Sequence, residues 1–253
     1  MKLGFAGAGN MAGAMARGWA AGPGGPDEML FCDIDAARAQ ALAEQVGGET
    51  RTALRDLADS SDVVVLAVKP GALDTVAEEL AGRAPALLSM LAATTIARVA
   101  EAFPGVPILR VMPNQPVEVR RGVVCCAPPH EMSDELRDRL LGLLTVLGGV
   151  VELEESKIDA AMAIMSSSPA YIALVAEALT RGGEREGLDP TLAAELVAGA
   201  LAGTAELLRK RDPATIRRAV ASPGGSSEAG LAKLEGVEDA FLSAVNASLG
   251  RYR

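Results

Sequence analysis

Residues 61–68 read Ser-Asp-Val-Val-Val-Leu-Ala-Val, and from Val63 to Val68 the run carries no charge and no polar alternation. A half-exposed strand alternates apolar with polar residues, whereas a strand buried on both faces does not. This segment therefore demands cover above and below, which a parallel sheet flanked by helices provides. The surrounding sequence has the matching rhythm. KLGFAG, EMLFCD, ALLSML, PILRVM, GVVCCA and VVEL read as further strands. NMAGAMARGWAA, DAARAQALAEQVG, ALDTVAEELAG, ARVAEAF and SDELRDRLLGLLTVLG read as helices between them. Repeated βα units of this kind imply a mainly parallel, doubly wound α/β sheet through about residue 152. After Leu153 every segment reads at helical period, punctuated by Gly187, Pro190 and Pro213. Two domains are expected, residues 1–152 and residues 153–253, the second all-α. That second part is rich in Ala and Gly, and aromatic residues make up 3% of the chain. Its helices can pack closely but have few large anchors, so they are expected to bury apolar surface against each other and against a second subunit.

The first strand runs directly into Gly7-Ala8-Gly9-Asn10-Met11-Ala12 and the first helix. Glycine costs conformational entropy on folding and needs a geometric reason. The spacing matches G-x-G-x-x-G/A, the turn that brings a dinucleotide pyrophosphate to a helix N-terminus. In this reading Gly7 makes the turn, Gly9 admits the phosphates, and Ala12 keeps helix and strand close. Asp33 ends the second strand, further along than the ~20 residues expected of a ribose ligand, because the intervening loop GPGGPDE is long. Asp33 is then either a helix N-cap, with Asp35 competing for that role, or a ligand for the ribose.

Composition narrows the partners. A net charge of -9 and a pI near 4.8 argue against nucleic acid and anionic membrane. The apolar stretch 85–97 is too short to span a bilayer and contains Ser89, Thr94 and Thr95. No secretory leader pattern opens the chain, and a cytoplasmic protein is expected. Cys32, Cys125 and Cys126 make no CxxC pair and read as reduced, buried thiols. The single histidine, His130, leaves no His-rich metal site; it lies in a Pro-rich loop before a helix capped by Ser133. Any catalysis must use something other than imidazole.

Three further stretches stand out. Ala67-Val68-Lys69-Pro70 closes the doubly buried strand, where open α/β sheets bind ligands, though Lys69 at an ordinary strand end would simply reach solvent. Arg110 to Pro116 places two prolines in a rigid turn after a strand. Ala221 to Gly230 is a polar turn feeding a helix, with Ser226 or Ser227 as N-cap or with backbone N–H groups offered to an anion.

The set GAGNMA, AVKP, RVMPNQP, SPAYIALVAEAL and SPGGSSEAGL, in this order and spacing, resembles the pyrroline-5-carboxylate reductase family over essentially the whole chain. The resemblance implies NADH- or NADPH-dependent reduction of 1-pyrroline-5-carboxylate to L-proline by an N-terminal Rossmann domain. It also implies a helical C-terminal dimerisation domain, a homodimer that some members build into decamers, and a substrate site between cofactor and dimer-forming helices. Carried onto this sequence, Gly7, Ala8, Gly9, Asn10 and Met11 cradle the pyrophosphate. Ala67, Val68, Lys69 and Pro70 line the nicotinamide side. Gly225, Ser226 and Ser227 hold the substrate carboxylate, with the Ser227 hydroxyl beside the ring nitrogen. Asn114 braces the site, and Glu155 matches an acidic position before the first C-terminal helix.

Several positions differ from the family pattern. Ser166-Ser167-Ser168 precedes Pro169 where GSG is usual, Gln115 stands for Thr, Ala93 for Gly, Ser226 and Ser227 for two Thr, and the GGFR stretch is missing. A related reductase acting on another imine, and a non-catalytic dinucleotide-binding redox sensor, are the alternatives. A β-hydroxyacid dehydrogenase would want a lysine on the first long C-terminal helix, and residues 158–181 contain none. Family members often carry Ser, Asn or Arg where this chain has Asp33, so NADH is the expected preference.

Overall fold

The computed structural model describes residues 1–80 and 82–251. Contacts divide the chain into two compact units, one built on Met1–Ser166 and the other on Ser167–Ser248. The first contains β1 (Lys2–Ala6), α1 (Asn10–Ala20), β2 (Glu28–Cys32), α2 (Ala36–Val46), β3 (Glu49–Thr50), α3 (Leu54–Asp59), β4 (Val63–Leu66) and α4 (Leu73–Leu80). It continues through β5 (Leu87–Ser89), α5 (Ile96–Ala102), β6 (Ile108–Pro113), β7 (Gly122–Cys126), α6 (Asp134–Leu147), β8 (Gly148–Glu152) and α7 (Ile158–Met165).

The eight strands form one sheet in the order β3-β2-β1-β4-β5-β6-β7-β8. All neighbours are parallel except β6 and β7, which run antiparallel through Val111↔Cys126, Met112↔Cys125 and Pro113↔Val124. β4 behaves as its composition demands. Val63 and Val65 enter the core on one face with Phe5, Trp19, Phe31 and Leu144, while Val64 and Leu66 enter the core on the other with Leu57, Leu80 and Phe103. All four β4 residues are fully buried, and each such side chain contributes about 1.5–3 kcal/mol relative to exposure. The first face is anchored by the stacked rings of Phe5 and Phe31, 5.0 Å apart, and by Trp19, whose indole N–H donates to Leu143 O at 2.8 Å.

Three features depart from the expected pattern. β3 and α3 were not anticipated, because β3 has two residues and the segment around α3 is too polar and short to show a period. β7 is antiparallel, since a single 3-10 turn at Gln115–Val119 returns the chain beside β6 without a crossover helix. Helix α7, placed by the sequence with the second domain, packs on the sheet instead. Its Ile158 and Met162 join Met112, Cys125 and Ala127 in a third apolar cluster. His130 forms an antiparallel bridge beside the first residue of β6 through two backbone hydrogen bonds with Ile108, each 2.9 Å, and Ser133 caps α6 as expected.

The second unit is all-helical: α8 (Ser168–Arg185), α9 (Pro190–Leu208), α10 (Pro213–Val220), α11 (Ser226–Ala232) and α12 (Val237–Leu249). α8 and α9 pack on each other, yet Ala193 is their one buried residue. Ile172, Leu174, Leu179, Leu192, Leu196 and Leu208 all face outward in the single chain. Two stretches, Glu155–Arg185 and Pro190–Leu208, are long and apolar enough by composition to cross a membrane. Exposed apolar surface on this scale marks an interaction face.

Candidate functional site

β1 and β4 are neighbours at the centre of the sheet, and the chain leaves them toward opposite sides. Their carboxyl ends make the switch point at which open α/β sheets bind ligands. The two glycines after β1 have different causes there. Gly7 turns with φ +102, and a Cβ on it would lie 2.7 Å from the Ala67 carbonyl oxygen. The exits of β1 and β4 press together, so the fold itself requires Gly7. Gly9 has an ordinary φ of -74, and a Cβ built on it meets nothing within 4 Å. No packing among the described residues explains a glycine at that position. The open space lies at the N-cap of α1, and no side chain caps that helix. First-turn N–H groups without helical partners, backed by the helix dipole, suit an anion. The residues present therefore fit a dinucleotide pyrophosphate, with Asn10 exposed and Met11 half-buried beside the turn.

Asp33 follows β2 and reaches back to this turn. Its Oδ2 accepts the Ala8 N–H at 2.7 Å and its Oδ1 accepts the Asp35 N–H at 2.9 Å. The helix cap is Asp35, whose carboxylate accepts the Arg38 N–H at 3.2 Å. The cap reading of Asp33 is thus replaced: Asp33 ties β2 to the glycine turn. The Asp33 side chain is 7% exposed, and the Arg38 guanidinium bridges it and Asp35 at 3.6 and 3.3 Å.

At the other side of the switch point Ala67 and Val68 are half-buried, while Lys69 and Pro70 are exposed at the start of a 3-10 turn. The loop after β5 contains Ala93 with φ 53, a left-handed conformation that costs an L-residue about 1–2 kcal/mol. The Ala93→Gly variant, which restores the family's usual residue, is expected to gain roughly 0.5–1 kcal/mol after glycine's own entropy is charged against it. Thermal melts of the two proteins check this; a lower melting temperature for the glycine variant would contradict it.

A buried polar cluster below that loop was not foreseen. Arg110 lies on β6 opposite Ser89 of β5, and its side chain is 3% exposed. Its guanidinium donates to Glu155 at 2.9 Å and to Asp159 at 3.4 Å. Glu155 Oε1 also accepts the Ile96 N–H at 2.7 Å, at the first turn of α5. One carboxylate therefore joins the start of α7, strand β6 and the end of the β5–α5 loop. Arg110 Nε and Ser89 Oγ are buried without a hydrogen-bond partner among the described residues. A lone arginine inside the apolar strand PILRVM was the signal, but no sequence rule pairs it with Glu155.

Asn114 closes the same region. Its Oδ1 accepts the Val123 N–H at 2.8 Å and its Nδ2 donates to Met165 O at 3.0 Å. Both ends of the amide bind protein, which is the geometry of a brace between β6, β7 and the end of α7. The three thiols are free and buried, and burial raises the Cys126 pKa to about 11, so none is an activated nucleophile.

In the second unit, the turn before α11 has Gly224 at φ 74 and Gly225 as N-cap. Neither Ser226 nor Ser227 caps the helix, contrary to one expectation: both lie inside its first turn. The Gly225 N–H donates to Ser222 O at 2.9 Å and the Gly224 N–H to Glu228 at 2.7 Å. The N–H groups of Ser226 and Ser227 lie in the first turn of α11 without helical acceptors, and the Ser227 hydroxyl has no hydrogen-bond partner among the described residues.

Residues 2–93 match the family model described as NADP oxidoreductase, coenzyme F420-dependent. The fold and its switch point thus define a Rossmann-type, dinucleotide-dependent oxidoreductase. Residues 155–253 match the model described as pyrroline-5-carboxylate reductase dimerisation. A pyrroline-5-carboxylate reductase of a Synechocystis species is 36% identical over 99% of this chain and 97% of its own length. The chain belongs to the pyrroline-5-carboxylate reductase family. Its fold superimposes on the crystal structure of the Streptococcus pyogenes reductase with a TM-score of 0.87 at 29% identity, covering 100% of this chain and 98% of that one. The Plasmodium falciparum reductase, crystallised with NADP bound, gives 0.89 at 26% identity over 100% and 97%. The exposed apolar faces of α8 and α9 belong to a homo-oligomerisation domain.

Proposed function

We infer that this protein reduces 1-pyrroline-5-carboxylate to L-proline with NADH or NADPH. The observation that carries this reading is the 36% identity over 99% of the chain to a named reductase, since that span includes both the glycine turn and the α11 turn. The cofactor supplies a hydride when bound. This chain's residues supply position and charge. Gly7 to Met11 hold the pyrophosphate against the first turn of α1, Asp33 faces the ribose, and Ala67 to Pro70 line the nicotinamide side. The N–H groups of Ser226 and Ser227 take the substrate carboxylate, and Gly225 keeps room for it. The Ser227 hydroxyl hydrogen-bonds the ring nitrogen and relays a proton from water to it. Asn114 acts by holding the turn after β6. A protonated imine already accepts hydride readily, so placement alone contributes several kcal/mol, up to about 7–11.

By function the chain divides at 152/153, a reading supported by the start of the dimerisation match at residue 155. The helical domains form an obligate, intertwined homodimer, supported by the apolar faces left open in one chain. Three free thiols and a net charge of -9 favour a cytoplasmic enzyme without a nucleic-acid or membrane partner.

Ser227→Ala is expected to lower kcat/KM with pyrroline-5-carboxylate by about 10–100-fold, the worth of a hydrogen bond to a charged group. Because Ser227 caps nothing, the melting temperature should hold. Ser227→Thr should retain activity. Unchanged kinetics in the alanine variant would remove the hydroxyl from the mechanism.

NADH should be preferred over NADPH. Asp33 puts a carboxylate at the exit of β2 that would repel a 2′-phosphate, and of the three arginines that could pair one, Arg38, Arg51 and Arg55, the first two are occupied while Arg55 is exposed. Arg38 pairs with Asp33 and Asp35, and Arg51 with Glu49 at 2.9 Å. Asp33→Ala should shift the kcat/KM ratio toward NADPH. A wild-type NADPH preference that survives this change would refute the assignment.

A further inference from the structure

Glu155 sits in the 3-10 turn Glu155–Lys157 that leads into α7, yet its carboxylate serves the loop after β5. Its Oε1 accepts the Ile96 N–H at 2.7 Å and a guanidinium N–H of Arg110 at 2.9 Å. Two observations argue that this arrangement does more than hold the fold. First, α5 already has a cap: Thr95 is its N-cap, and the Thr95 hydroxyl accepts the Arg98 N–H at 3.2 Å. Glu155 takes the first helical N–H instead, and so fixes the point at which loop becomes helix. Second, the cluster is a poor stabiliser for the space it fills. Arg110 is almost wholly buried, and neither its Nε nor the Oγ of Ser89, its register partner on β5, has a hydrogen-bond partner among the described residues. A buried ion pair with an orphaned donor gives a fold no more stability than apolar residues of similar volume would.

The register of the sheet says what this loop lies beside. β5 neighbours β4, with Ser89 opposite Leu66. The Met90 N–H continues that ladder to Leu66 O at 3.1 Å, and Val68 packs on the apolar cluster that contains Leu91. The loop therefore starts alongside Ala67 and Val68, turns at Ala93, which is exposed at φ 53, and is tied down at its far end by Glu155. We propose that Glu155 is a positioning residue for the reduction. Through the Ile96 N–H it sets where the Ala92–Ala93 tip stands at the nicotinamide side, and Arg110 aims its carboxylate. The proposal rests on the reading of Ala67 to Pro70 as that side. Glu155 then governs the rate of the hydride step and not the affinity for the cofactor, whose pyrophosphate is held at α1.

Three variants test this. Glu155→Ala removes the acceptor, Glu155→Gln keeps an acceptor oxygen without the charge, and Ile96→Pro removes the donor. Proline suits the first helical position, and Thr95 at φ -73 and ψ 158 already has the conformation that a following proline requires. The measurements are kcat with pyrroline-5-carboxylate, the isotope effect on kcat with NADH deuterated at the transferred position, the calorimetric NADH Kd, and a thermal melt. Hydrogen exchange at the Ile96 amide is followed in the cofactor-free wild type and both Glu155 variants. Glu155→Ala and Ile96→Pro should each lower kcat about 10–100-fold, the effect of an ångström-scale misplacement, and raise the isotope effect. The NADH Kd should stay within about twofold of wild type. The Ile96 amide should exchange at least about 10-fold faster in Glu155→Ala. Glu155→Gln should keep kcat within about threefold of wild type. A purely structural role would lower the melting temperature and the amount of active enzyme but leave the isotope effect where it was. A kcat within about twofold of wild type in Glu155→Ala, or in Ile96→Pro where the alanine variant does not fold, would overturn the proposal. So would a loss that appears in the NADH Kd rather than in kcat. A wild type that reduces no pyrroline-5-carboxylate with either cofactor would overturn the reading of the reaction, and this assignment with it.

Discussion

Gly9→Val is expected to weaken NADH and NADPH binding by at least about 100-fold, equivalent to roughly 2.7 kcal/mol, while costing the fold only about 1 kcal/mol as a poorer N-cap. The backbone at Gly9 suits any residue, and a Cβ there enters empty space. In the proposed cofactor site, a valine would project its methyl groups between the pyrophosphate and the N–H groups of α1. Gly7 supplies the contrast. With φ +102 and the Ala67 carbonyl 2.7 Å from a built Cβ, Gly7→Val should damage the structure itself and lower the melting temperature by several degrees. Calorimetric cofactor titrations and thermal melts on both variants separate the cases. Wild-type affinity in Gly9→Val would mean that the cofactor does not approach this turn.

Arg110→Ala should lower stability by about 3 kcal/mol, the low end of the 3–5 kcal/mol seen when one member of a buried ion pair is removed. The arginine is almost wholly buried, whereas the side chains of Glu155 and Asp159 are 30% and 41% exposed. Water can therefore reach the orphaned carboxylates and soften the loss. Arg110→Met, which keeps volume without charge, should lose less than the alanine variant. Urea unfolding at one fixed protein concentration measures both, since assembly contributes to apparent stability. A loss below about 1 kcal/mol in Arg110→Ala would show that Glu155 holds the β5–α5 loop without the arginine.

Much of this molecule is legible in neighbouring residues. The uncharged run from Val63 to Val68 demands cover on both faces, and β4 has it. The spacing of Gly7, Gly9 and Ala12 marks a strand-to-helix turn, and α1 starts at Asn10. Ser133 ahead of an amphipathic segment marks the start of α6. Periods, caps and turn residues act within a few positions, so a short window carries them. β3 and α3 leave no mark in the sequence because two and six residues are too few to establish a period.

Sequence alone determined the alternation of strands and helices, the helical second half, and the glycine turn between β1 and α1, because each follows from residues adjacent in the chain. Tertiary structure decided the rest. It made Gly7 answer to Ala67 and Gly9 to no protein atom, assigned the α2 cap to Asp35 and tied Asp33 to Ala8 across 25 residues. It matched the charge of Arg110 with Glu155, 45 residues on, and turned β7 antiparallel beside β6. Those outcomes depend on which strand lies beside which and in what register. That pairing is settled by burial over the whole sheet, and no local window of residues contains it.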